Sequence, residues 1–534
     1  MKRNYFFLYL LLYFALFSCA KRGTISGGPK DTLAPVIVNS YPKNFSTQFK
    51  GNEIKIVFNE LIKVKDISKQ LIISPPFKLQ PIIVPQGSAN KFISIKILDT
   101  LKENTTYSFN FGKSIVDNNE SNPYNQFRFV FSTGNYIDSL TIAGKVKDSY
   151  LQKTDNNISV LLYDAETFKD SMVYSHSPLY VSNTVDTLSV FSVENIKKGK
   201  YKIVALKDVN GNYKFDAKQD KIGFLKNTIS VPTDTVYELE VFKEKLPFRA
   251  FKPSQESSNK FFLPFEGDVK NVKILASSLN VEIPIKFSRF PKPEKDTLQV
   301  FIPNTIKDSV KFRIENNSYS KTFLSTIKSL KEKDTLNIEA KQNNILPFRE
   351  HFTLKTTTPI LNINNSNIIV QNKDSLFLPF TTKYNELLSE IEINFLKEEK
   401  QNYTITLLPK AIIDFYDKAN DTLIFRIKTQ SLSDYGNLKV NVKNVKHFPI
   451  ILQALDSKGN VKFSKQSLQE SMFTFDAIEP MIYTLRIIYD NNSNNEWDTG
   501  NFLEKQLPEE IIYLQKPVDV RANWDVEQDF DLEK

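Results

Sequence analysis

Residues 52–58, NEIKIVF, decide the fold class: Ile54, Ile56 and Phe58 are spaced two apart, with Glu53 and Lys55 between them. A period of two sends alternate side chains to opposite faces, so the stretch reads as a half-buried β-strand and not as a helix. The same alternation returns in KFISIKIL (91–98), YSFNFG (107–112), FRFVFST (127–133), YKIVAL (201–206), DTLQVFI (296–302), VKFRI (310–314) and YTLRIIY (483–489). Asn, Asp, Pro and Gly punctuate these runs, and helical periodicity is scarce. Many short strands bounded by turn residues imply an all-β chain of tandem β-sandwiches.

At 534 residues the chain is too long for a single core, and roughly 100–200 residues per domain divides it into about three to five. Its 70 Lys and Arg against 61 Asp and Glu leave a net charge of +9. These charges are interleaved along the chain, whereas a nucleic-acid partner calls for basic residues gathered in a run or on one face. The single cysteine, Cys19, excludes a disulfide framework within the chain.

Residues 1–18 read as a signal peptide: Lys2 and Arg3, an apolar run over 5–17, then Leu16-Phe17-Ser18 before Cys19. That ending resembles the bacterial lipobox, which implies cleavage before Cys19, acylation of its thiol and anchoring in the outer membrane. Residues 19–35 hold the lipidated cysteine and a flexible tether. No acidic pair of the kind that resembles a surface-export signal follows Cys19, which favours the periplasmic face.

Residues 36–134 carry, in order, PVIVNSYPKN, IKIVFNELI, LIISPP, LKENTTYSFNFG and FRFVFSTG. This succession resembles the bacterial Ig-like domain of S-layer proteins and implies a sandwich spacer. Residues 135–245, with IAGKV, NISVLLYD and YKIVALKDVNGNYKFD, resemble a transthyretin-like or carboxypeptidase-regulatory sandwich. Residues 246–345 and 346–435 read as two further strand-rich domains, and residues 436–534 as a last sandwich. SGGPKDTLAPV (26–36), the ISPP domain and WDTGNF (497–502) with PE (508–509) and VRANWD (520–525) resemble a family of Ig-like-domain lipoproteins of Bacteroidetes-type bacteria. That resemblance implies a location and an architecture, and no reaction.

DVNGNYKFD (208–216) returns as DNNSNNEWD (490–498), 282 residues later. At that offset Phe191, Ile196 and Tyr201 fall on Phe473, Ile478 and Tyr483, and seven of 26 positions are identical. ISVLLYDAET (158–167) pairs with PIILQALDSK (449–458). The chain therefore repeats a domain together with its loop. Asp208, Asn210, Asn212 and Asp216, and Asp490, Asn492, Asn494 and Asp498, place oxygens at alternating positions, as a calcium loop does. The bidentate Glu of an EF-hand is missing, since its twelfth position is Gln219 or Asn501. Calcium sites and polar turns whose Asp and Asn side chains bond their own backbone both stay open.

Asp-Ser/Thr before an aliphatic residue or Met occurs eleven times, at Thr32, Thr100, Ser139, Ser171, Thr187, Thr235, Thr297, Ser309, Thr335, Ser375 and Thr422. Ordinary frequencies predict roughly two. The pattern resembles an O-glycosylation consensus of Bacteroidetes-type secreted proteins, and it also suits a turn running into a strand. His176, His351 and His447 are far apart and have no metal-ligand spacing. The function expected is structural or adhesive, in the cell envelope and without catalysis. A glycan-binding or polymer-processing accessory role, its carbohydrate site resting on Trp497 and Trp524, is the alternative, and an enzyme with an interdomain site is a third.

Overall fold

The computed structural model describes residues 31–185, 188–292, 295–330, 332 and 334–533. The signal peptide and Cys19 lie outside the described residues, as does Thr187. The chain is built of tandem β-sandwiches, each with its own apolar core.

Eight strands form the first domain: β1 (Ile37–Tyr41), β2 (Glu53–Val64), β3 (Ile72–Ser74), β4 (Ile82–Val84), β5 (Asn90–Lys96), β6 (Thr106–Asn110), β7 (Ile115–Asp117) and β8 (Arg128–Ser132). One sheet runs β1-β2-β5-β4, with β7 on the far end of β2; the other runs β3-β6-β8. Ile54, Ile56 and Phe58 of β2 point inward against Phe109, Phe129 and Phe131, while Glu53 and Lys55 face water. Each such apolar side chain, fully buried, contributes about 1.5–3 kcal/mol.

The second domain has β9 (Leu140–Asp148), β10 (Ser159–Asp164), β11 (Tyr180–Asn183), β12 (Val190–Ile196), β13 (Gly199–Lys207), β14 (Lys221–Phe224), β15 (Ile229–Val231) and β16 (Val236–Val241). The sheets are β11-β10-β13-β14, with β15 on the start of β13, and β12-β9-β16, in which β16 runs parallel to β9. The last domain repeats this order and pairing strand for strand. Met472–Ile478, Gly436–Lys443 and Asp525–Asp531 make the three-stranded sheet, its last pair again parallel. Val461–Ser467, Ile450–Leu455, Met481–Tyr489 and Ile511–Tyr513 make the other, with Val518–Val520 on the start of Met481–Tyr489. Tyr201 donates to the Lys197 carbonyl (2.8 Å) and Tyr483 to the Glu479 carbonyl (2.7 Å), the same corner in each copy.

The ladder corrects one detail of the repeat. Leu161 sits opposite Val204 and Gln453 opposite Arg486, so Leu161 corresponds to Gln453. Pairing ISVLLYDAET with PIILQALDSK is thus one residue out of register, and a one-residue slip exchanges the two faces of a strand. Val160 and Leu162 face the core of the second domain, as Leu452 and Ala454 face that of the last.

Between the copies lie two more sandwiches. The core of the third domain runs from Ala250 to Ile314. Ile338 and Leu346 pack with Phe352, Leu354 and Ile391, so the strand Ile338–Ala340 belongs to the fourth domain and not to the third. Among the described residues no helix is long and apolar enough to cross a membrane.

Candidate functional site

The repeated loop leaves β13 at Asp208, and its counterpart leaves Met481–Tyr489 at Asp490. Both take left-handed backbone at the same places: Gly211 and Tyr213 (φ 66° and 57°) in one, Ser493 and Asn495 (61° and 62°) in the other. Non-glycine residues adopt that region sparingly, so the match marks one shared turn. The Asp208 carboxylate accepts from the backbone N–H of Gly211 (2.7 Å) and Tyr213 (2.6 Å); that of Asp490 accepts from Asn494 (3.1 Å) and Asn495 (2.9 Å). Asn212 accepts from the Lys214 N–H and Asn494 from the Glu496 N–H, both at 2.8 Å. The side chains of both loops therefore hold their own backbone. Asn210 is exposed.

A second carboxylate anchors each loop from below. Asp220, fully buried, accepts from the N–H groups of Val209 (2.9 Å) and Asp216 (2.8 Å). Glu509, also buried, does the same for Asn491 (2.6 Å) and Asp498 (3.0 Å). Asp220 stands at the loop's thirteenth position, one beyond the EF-hand position considered from sequence. Its partner Glu509 is displaced by an insertion: four steps separate Asp216 from Asp220, eleven separate Asp498 from Glu509, and the last domain thus carries seven more residues. Burial pushes the Asp208 and Glu509 carboxyls above their ordinary values, only partly offset by the backbone donors. Burial also acts to raise Asp498, but the Lys245 ammonium and the amides of Asn492 and Asn494 outweigh it and hold Asp498 below its ordinary value. Among the described residues no three or more His, Cys, Asp or Glu side chains are grouped to hold a metal ion.

The inserted residues reach the second domain. Phe502 is 2% exposed and packs among Tyr174, Phe224 and Phe242, its ring edge-on to Phe224 at 5.3 Å. Its N–H donates to Glu244 (2.6 Å), and Thr499 donates to the Lys243 carbonyl (2.7 Å). Gly500 is required for this approach, because a Cβ there would lie 2.6 Å from the Phe242 ring and 2.7 Å from the Gln506 carbonyl. Lys505 pairs with Asp170 (2.5 Å), Lys245 with Asp498 (3.0 Å), and Lys270 of the third domain with Glu496 (2.8 Å).

Arg486 completes the joint. It is 1% exposed, and its guanidinium lies over the Tyr150 ring at 4.3 Å. Its nitrogens donate to Gln453 Oε1 (2.9 and 2.7 Å), the Tyr150 carbonyl (3.2 Å), the Tyr150 hydroxyl (2.8 Å) and the Tyr513 hydroxyl (2.9 Å). These acceptors are neutral, so the buried charge rests on hydrogen bonds and the ring face. Trp497 packs 4.7 Å from Tyr150 and donates its Nε1–H to the Glu509 carbonyl (2.9 Å), which builds it into the joint; Trp524 stays 54% exposed.

Of the Asp-Ser/Thr sites, Thr32, Thr100, Ser139, Ser171, Thr235, Thr335, Ser375 and Thr422 are exposed, and Thr297 and Ser309 half-buried. Ser139, Thr235 and Thr422 directly precede strands, and Thr297 and Ser309 open them. His176, His351 and His447 are exposed and sit in different domains.

Residues 31–133 match the family model of the bacterial Ig-like domain, which gives the first domain its class. Solved structures similar to the chain include the surface layer protein SbsC, domains 1–6 (12% identity, 91% of this chain and 67% of that one, TM-score 0.15). The Bacillus anthracis TIE protein (10%, 95% and 75%, TM-score 0.15) and BcpA, the major pilin subunit of Bacillus cereus (11%, 74% and 99%, TM-score 0.14), are others. No curated protein matches the chain.

Proposed function

We propose that the chain is a lipid-anchored protein of the bacterial cell envelope, on the outer membrane, with a structural or protein-interaction role. The observation that carries this reading is the bacterial Ig-like domain, matched over residues 31–133, directly behind the leader and Cys19. The sandwiches that follow extend the same kind of architecture. Two or three acyl chains on Cys19 would hold it stably at the membrane. The native protein is expected to partition into detergent and sediment with outer membrane, and Cys19→Ala to release or mislocalise it. Unchanged partitioning of the variant would overturn the anchor.

The exposed hydroxyls at the turn-to-strand junctions support O-glycosylation of at least one Asp-Ser/Thr site. Native protein is then expected to have a larger intact mass than the same chain made in a host without that pathway. Equal masses would dispose of the modification.

A further inference from the structure

Successive domains of a chain touch because they are linked. The contact between the second and last domains needs another explanation, since two whole domains, residues 246–435, separate them. That contact is specific. A buried aromatic, Phe502, fills a pocket of the other copy. A buried guanidinium, Arg486, takes acceptors from Tyr150, 336 residues away. Two ion pairs, Lys505–Asp170 and Lys245–Asp498, flank them.

We propose that the two copies of the repeat form a clasp that closes the chain on itself. Residues 246–435 then stand out as a two-domain arm whose ends are both held at the clasp. A pull between residue 31 and the C-terminus passes through the first domain, the second domain, the clasp and the last domain, and leaves the arm unloaded until the clasp parts. The plug is the seven-residue insertion, which the first copy lacks, so the joint is asymmetric and one copy receives the other. The inference does not rest on the lipid anchor and stands if Cys19 is never acylated.

Zero-length carbodiimide coupling of the full wild-type chain reads the closure, because it joins an ammonium to a carboxylate already in contact. Mass spectrometry of the monomer is expected to find Lys505–Asp170 and Lys245–Asp498 links, beside Lys145–Glu238 within the second domain and Lys439–Glu527 within the last. Phe502→Ala should lower the two clasp links at least fivefold and leave the internal ones. If Phe502→Ala loses the internal links as well, Lys505→Glu serves instead, with Asp170→Lys added to restore the lost Lys245–Asp498 link. Internal links without clasp links in the wild type, or clasp links found only in dimers, would overturn the closure. With the chain held at residue 31 and the C-terminus, a first step that lengthens the tether before any arm domain unfolds is expected, and its loss in Phe502→Ala. Arm unfolding with no prior step in the wild type would overturn the load path.

Discussion

The two copies of the repeat cover the same outer sheet face in opposite ways. In the second domain that face is apolar: Leu161, Tyr163, Val204 and Leu206 are buried beneath the one-turn helix Met172–Ser175, Phe215 and the incoming Phe502. In the last domain the matching positions carry Gln453 for Leu161 and Arg486 for Val204. There the cover is Tyr150 of the other copy, which supplies a ring face, a carbonyl and a hydroxyl to the buried guanidinium. An apolar face accepts any well-shaped apolar lid. A buried charge is tolerated only where its donors meet acceptors, so the last domain's face is matched to one partner. The loops diverge in parallel: one frame, pinned at the same two N–H groups, ends in a short turn in one copy and in a plug in the other.

The loop anchors give the largest effect that separates the copies. Asp220→Ala leaves the Val209 and Asp216 N–H groups without their acceptor; a donor left unsatisfied costs about 1–3 kcal/mol when buried, and these two are only partly buried, which places each toward the lower end. A loss of about 2–4 kcal/mol is expected in denaturant unfolding followed in the second domain. Hydrogen exchange should accelerate at those two amides. Glu509→Ala should match it in the last domain and also weaken the clasp, because that carboxylate holds the Asp498 N–H at the root of the insertion that carries Phe502. Equal effects of both variants on the Lys505–Asp170 link would break the comparison, since only Glu509 lies at the root of the plug.

How much of this was legible in the sequence follows from the range of the interactions. Alternation in NEIKIVF and its relatives reports local burial, so the sandwiches could be read from single strands. The duplication was legible because loop residues that bond their own backbone recur as a spaced motif. The clasp left no such mark. Arg486 in YTLRIIY occupies what looks like a solvent-facing position of a half-buried strand, and its cover comes in large part from Tyr150, 336 residues away in sequence. Phe502 looks like any apolar residue in a turn. Asp220 and Glu509 stand at different distances from their loops, four and eleven residues beyond Asp216 and Asp498, so no fixed-spacing motif joins them. Their shared signal is an acid shortly before a strand, too common to single out.

Calcium gives the smallest expected effect and sharpens the comparison furthest. A site of the kind found in extracellular modules, with Kd about 10⁻⁴–10⁻³ M, would stabilise a folded domain by roughly 0.4–1.4 kcal/mol at millimolar calcium. That would appear as a rise of a few degrees in the melt of that domain over a chelated sample. In the last domain Asp498 is already engaged by Lys245, Asn492 and Asn494, and a cation would have to displace all three. In the second domain the Asp216 carboxylate accepts from the Lys218 N–H (3.0 Å) and the Gln219 amide (3.3 Å). Those are weaker obstacles, so any calcium effect belongs to the first loop before the second. Asp208, Asp216 and Asp490 nonetheless already serve backbone donors and Asp498 serves side-chain donors, and the expected outcome is a melt of the full chain unchanged by calcium. Asp208→Ala with Asp216→Ala should still destabilise the second domain by about 1–2 kcal/mol through lost turn bonds. A calcium-dependent rise abolished by those two substitutions and untouched by Asp490→Ala with Asp498→Ala would instead make the first loop a cation site and leave the second as a docking element alone.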